Sequence, residues 1–175
     1  MIGPLKRLVR RASSGTPKTL KPSPDEKDAP AVEALKAFLS ILNRGAMDEL
    51  SQLFEQDAEV VFVDAYMGVA EYAEEMVRAC KAFPDLSFEW VSVEDLGQDS
   101  AILRGLRAQG THQGPYGFGP YPTIEATQIK CKNDPEEVTL WINPATGKVR
   151  KALFVPKGEL TGPPGFYTQI GGIIF

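Results

Sequence analysis

Histidine and cysteine are nearly missing from this 175-residue chain: one histidine, His112, and two cysteines, Cys80 and Cys131. One histidine cannot build a zinc site with these two cysteines in any usual spacing, and the reading of each cysteine is a buried thiol, with a disulfide between them left open. Long hydrophobic runs are missing as well. The longest, "EVVFVDAYMGVA" (59–70), is interrupted and too short to span a bilayer. There is no glycine-rich phosphate loop and no dinucleotide fingerprint, so no metal, nucleotide or flavin cofactor is expected. The net charge of −4 argues against general affinity for nucleic acid. Acidic residues are absent before Asp25. What remains is 43% hydrophobic and 24% charged, ordinary for a globular domain with a real core.

The acid-poor stretch sets off residues 1–28 from the rest. Lys6, Arg7, Arg10, Arg11, Lys18 and Lys21 stand among serine, threonine and proline, with Ile2, Leu5, Leu8 and Val9 able to line one helical face. This is the composition of an organellar (mitochondrial or plastid) presequence, or of a basic disordered tail on a cytoplasmic protein. Residues 29–175 form the expected domain. Val32, Leu35, Phe38, Leu39 and Leu42 mark an amphipathic helix that Gly45 stops. A short second helix follows over "AMDELSQLFEQD", then a strand at "AEVVFVD" and a third helix at "VAEYAEEMVRACKAF". After Pro84 come strands: "LSFEWVSVEDL", apolar on both faces, "SAILRGLRAQGTH", "TIEATQIKCK", "EEVTLWIN" and "KVRKALFVP". Turn formers between them suit antiparallel hairpins, and the whole reads as α+β, with helices on one sheet face. The charge runs "EYAEE" and "NDPEE" read as solvated faces.

Four passages together resemble the SnoaL-like polyketide cyclases of the nuclear-transport-factor-2-like superfamily: "FPDLSFEW" (83–90), "RGLRAQGTHQGPYGFGPYPT" (104–123), "TGKV" (146–149) and "GFYTQIGG" (165–172). The resemblance covers roughly residues 30–172. It implies a cone-shaped curved antiparallel sheet wrapped around the N-terminal helices, with an apolar pocket at the open end and pairing into a homodimer through the outer sheet face. It also implies a general acid/base seven positions before the C-terminal glutamine. From Gln169 that count lands on Gly162, and the nearest carboxylate is Glu159.

Two residues are then the candidates for chemistry. Asp64 follows an apolar strand in a place similar to the general-base aspartate of ketosteroid isomerases, where poor solvation raises a carboxyl pKa; the other reading is a helix cap. His112 can line the pocket and move a proton near neutral pH, or instead fix a turn. On the pocket reading, His112→Ala weakens ligand binding without unfolding the chain. Tyr66, Trp90, Tyr116, Phe118, Tyr121 and Trp141 are candidates for an aromatic wall around a small apolar molecule. Three functions fit: a cofactor-free enzyme acting by proton transfer on an apolar carbonyl compound, a ligand carrier, or an association domain using the outer sheet and "GGIIF".

Overall fold

The computed structural model describes residues 28–63 and 65–175. The basic segment and Asp64 therefore lie outside the described residues, apart from Asp28. Helix α1 (Pro30–Arg44) buries the expected stripe, Val32, Leu35, Phe38, Leu39 and Leu42, together with Ala31, Ala34 and Ile41. It ends where Gly45 takes a left-handed φ of 66°. A 3₁₀ turn (Met47–Glu49) and the four-residue α2 (Leu50–Leu53) lead into β1 (Phe54–Val61), so the strand begins earlier than its β-branched run. Next come β2 (Tyr66–Gly68) and α3 (Val69–Ala82). The remaining strands are β3 (Ser87–Glu89), β4 (Ser92–Gly97), β5 (Ser100–Thr111), β6 (Lys130–Lys132), β7 (Glu136–Ile142) and β8 (Val149–Pro156).

These strands make one eight-stranded sheet in the order β2-β1-β8-β7-β5-β3, with β4 and β6 also on β5. The cone expected from the sequence is present: the sheet curls into a half-barrel around the N-terminal helices. Its pairs are antiparallel except β1 with β8, which run parallel, with α3 and six strands between them in the chain, as a parallel pair needs a long crossover. Long β5 makes the curl. Its first half pairs with β4 and β7, its second with β3 and β6, and the register slips between Leu103 and Leu106. Gly105 sits in that slip at φ 68°, and a Cβ there would stand 2.6 Å from a Val91 methyl.

The same bend interrupts the expected strand 86–96. Trp90 and Val91 fall in the gap between β3 and β4 and are exposed, so that stretch is not covered on both faces. "TIEATQIKCK" is strand only at β6, with a single bridge from Tyr116 to Ile124. The "GFYTQ" passage is helical, α4 (Gly162–Gln169). Both cysteines are free thiols, Cys131 buried and Cys80 partly so. No helix among the described residues is long and apolar enough to cross a membrane.

Candidate functional site

The inside of the sheet is set by strand alternation. On β7, Val138, Leu140 and Ile142 are buried and share one face, and the residue that begins the same stripe is Glu136. Helix α3 supplies the facing wall in two neighbouring stripes, each with i, i+4, i+7 spacing. Tyr72, Met76 and Ala79 line a narrow inner chamber of about 30 Å³, room for about one water, together with Leu42, Leu86, Phe88, Leu106, Ala108 and Phe166. Glu71, Glu75 and Arg78 line a wider mouth of about 420 Å³, with Val63, Ala65, Met67, Phe118 and Pro164. Phe62, Glu136, Phe154, Gly162 and Pro163 border both spaces. Glu136 is thus the carboxyl at the throat.

Its surroundings define its chemistry. Burial among apolar side chains pushes the Glu136 carboxyl up from 4.5 to about 7, so the group exchanges a proton near neutrality. Tyr72 is 5% exposed, and its hydroxyl is held protonated by burial first and by the Glu136 charge second. Glu137, the next residue, faces the other way. It pairs with Lys157 at 2.9 Å and Arg104 at 2.8 Å, which hold its carboxyl below the usual range. At the mouth, Glu75 is 7% exposed; it accepts from Arg78 through one oxygen and from the buried Tyr116 hydroxyl, at 3.4 Å, through the other.

The sequence expectations fall in different places. Asp64 lies outside the described residues; its neighbours Val63 and Ala65 line the mouth. His112 has no exposed surface and lines neither space. It packs on Phe83 at 5.3 Å between ring centroids, in a second apolar cluster with Tyr116 and Phe166. The Thr127 N–H donates to its Nδ1 at 3.2 Å, which puts the proton of the neutral ring on Nε2, an atom with no hydrogen-bond partner among the described residues. Burial lowers its pKa below 6.5. Phe118 lines the mouth, and Tyr121 stacks behind it at 6.1 Å. Tyr116 serves the mouth through Glu75. Tyr66 is 79% exposed. Trp90 stands in a groove against Leu39 and Asn43 of α1, and Trp141 lies beside Glu55, Asp57 and Glu59 with Lys151 5.8 Å over its ring. The structure therefore gathers Phe118 and, at one remove, Tyr116 and Tyr121, but not Tyr66, Trp90 or Trp141, around the mouth.

The charge runs need correction. Each turns one carboxyl inward: Glu75 from "EYAEE" and Glu136 from "NDPEE". Glu136 carried a signal in the sequence, since "EEVTLWI" alternates and its inward stripe starts on a carboxylate. Glu159 is exposed. Gly162, where the resemblance places the acid, borders both spaces opposite no carboxyl of its own element, and Glu136 shares its position at the throat. No three His, Cys, Asp or Glu side chains group to hold a metal among the described residues.

Comparison with known proteins agrees with this architecture. AclR of Streptomyces galilaeus, a proposed hydroxylase, superposes with a TM-score of 0.62 at 21% identity over 79% of each chain. TsrD of Streptomyces laurentii gives 0.61 at 19% identity, over 83% of this chain and 98% of its own. IdmH of Streptomyces antibioticus, a proposed polyketide cyclase, gives 0.57 at 16% identity, over 74% and 93%. No curated protein matches the sequence. The sequence pattern of the SnoaL-like polyketide cyclases matches residues 32–129, more than half of the chain, and the chain belongs to that family.

Proposed function

We propose that this protein is a cofactor-free enzyme that moves protons on an apolar, carbonyl-bearing small molecule, with Glu136 as the group that takes and returns the proton. The observation that carries this reading is a carboxyl at the throat of an apolar cavity, the one carboxyl there among the described residues, with its pKa raised to about 7 by burial. A general acid/base works best when its pKa lies near the working pH. Family membership supports the cyclase or isomerase class of chemistry. In this reading the acid expected at position 162 is supplied from β7 instead, across the same cavity. Asp64 stays a candidate for a second carboxyl by its place between two mouth residues.

The test is exchange of the α-hydrogens of 2-tetralone, a flat bicyclic ketone, into D₂O, followed by proton NMR. Wild type accelerates exchange, with a rate that rises with pH through about 7 as Glu136 ionises. Glu136→Gln removes the acceleration, a loss of at least about 100-fold. Asp64→Asn run alongside decides between the carboxyls: activity kept in E136Q and lost in D64N moves the role to Asp64. Gly162→Asp in the E136Q background restores part of the rate. A Cβ there meets only a Pro164 carbon at 3.7 Å, and aspartate tolerates the left-handed φ of 56°.

A second reading, an association domain that pairs copies through its outer surface, is favoured by exposed Trp90, Val91, Leu96 and Ile173. It needs no chemistry at the throat.

A further inference from the structure

Arg78 is the one cation among the described residues lining the mouth, and its placement is built rather than incidental. Its guanidinium is half exposed and donates through Nη2 to Glu75. Glu75 is 7% exposed, and its second oxygen takes the hydroxyl of Tyr116, itself 1% exposed. A buried carboxylate anchored at both oxygens holds the arginine at one end of its fork. The Nε and Nη1 atoms make no hydrogen bond among the described residues, so N–H donors remain for a molecule in the mouth. Glu136 stands at the inner end of that same space, and Phe62, Phe118 and Pro163 make its walls apolar.

We propose that Arg78 is the electrophile of this pocket, donating to the carbonyl oxygen of a ligand whose α-carbon faces Glu136 and holding the enolate that forms. The inference rests on the proton-transfer reading of Glu136. The ionised Glu136 oxygen takes the α-proton and becomes the acid. The C–H electron pair becomes the new C–C double bond, and the carbonyl π pair moves onto oxygen as the enolate. Return of a proton, or of a deuteron from solvent, to the same carbon regenerates the ketone and the carboxylate. Charge develops only on the oxygen, where a donor fixed beforehand in an apolar site acts most strongly. Glu71, exposed on the same helix, and Glu74 beside Arg78 are the other charges facing it from α3; Glu75 is already engaged.

The experiment is the same 2-tetralone exchange, with the dissociation constant of 2-tetralone measured separately. Arg78→Gln leaves the Glu75 carboxylate buried and unpaired, a change that can unfold the chain. The double variant Glu75→Gln/Arg78→Gln removes both charges together and keeps the test open. In whichever of these folds, the saturated exchange rate falls about 100-fold while 2-tetralone affinity changes less than about 3-fold. Arg78→Lys, which keeps the charge and loses the fork, falls in between, and the pH midpoint of the remaining rate stays near 7 because Glu136 is intact. A saturated rate retained in a folded Arg78 variant overturns the proposal, as does a loss that appears wholly in affinity. Absence of exchange in wild type overturns the reading of Glu136 and this proposal with it. Exchange that survives in E75Q/R78Q but not in E136Q overturns the role of Arg78 alone.

Discussion

Glu136 and His112 are both enclosed by apolar side chains, yet one borders the chamber and the mouth and the other lines neither. The larger buried cluster, built on α1, α3 and the inner sheet face, leaves a throat where Glu136 meets open space. The smaller cluster, around Phe83, Tyr116 and Phe166, packs solidly against the imidazole. Burial moves both groups toward their neutral forms, raising the acid and lowering the base. Only at the throat does the neutral form have somewhere to send its proton. A perturbed pKa marks a functional group when a ligand can reach it; in a filled cluster it marks packing.

The largest contrast between the two regions is kinetic. Glu136→Gln removes ketone exchange, while the sheet around it stays paired. His112 gives the opposite profile. A fully enclosed ring with a backbone hydrogen bond to Nδ1 supports the 112–131 connection, so His112→Ala leaves a cavity and lowers stability by about 3 kcal/mol. Chemical denaturation measures this, and the exchange rate of the fraction that remains folded is unchanged. A stable H112A protein with lost exchange would instead bring the histidine back to the pocket.

The sequence carried the cone more fully than the throat. Regular periodicity fixed α1, α3, β5, β7 and β8, because one buried face writes itself into a helix or strand. Passages with little periodicity were harder to read. The bend at Gly105 that parts β3 from β4 depends on Val91 passing close by, a contact between distant residues that alternation does not record. The lone histidine stood out because it is rare, in a turn rich in glycine and proline, but rarity says nothing about access. Glu136 was hidden for the opposite reason. A carboxylate beside another carboxylate looks like a solvated run, and only the parity of Val138, Leu140 and Ile142 says that one of the pair points inward.

The two regions also separate in the pH dependence of stability. Glu136 has a folded pKa of about 7 against 4.5, so the fold binds its proton more tightly than the unfolded chain does. Stability from this group is complete below 4.5, declines as pH rises from 4.5 to 7 and is flat above, a change of at most about 3 kcal/mol because the cavity admits water. His112 has the reverse sign. Its folded pKa lies below 6.5, so the unfolded chain takes up the proton first and stability declines as pH falls below 6.5. Below 6.5, where His112 titrates, the two slopes have opposite signs and partly offset each other. Glu136→Gln uncovers the histidine slope, with stability falling toward acid. His112→Gln uncovers the glutamate slope, with stability falling toward neutrality. Urea midpoints at several pH values read both. Parallel slopes in the two variants would mean that burial does not set these protonation states.

Glu137 supplies the smallest effect and the cleanest control. It is one residue from Glu136, but strand alternation turns it to the outer face, where Arg104 and Lys157 pair with it in contact with solvent. Solvent screens such pairs, and ordering the long side chains offsets much of the attraction. Glu137→Gln shifts the thermal midpoint by less than about 3 °C and leaves both the exchange rate and its pH midpoint unchanged. The same substitution at 136 removes the rate. A loss of exchange in E137Q equal to that in E136Q would show that the inward and outward assignments of β7 are reversed, since a slip of one residue exchanges the two faces of a strand.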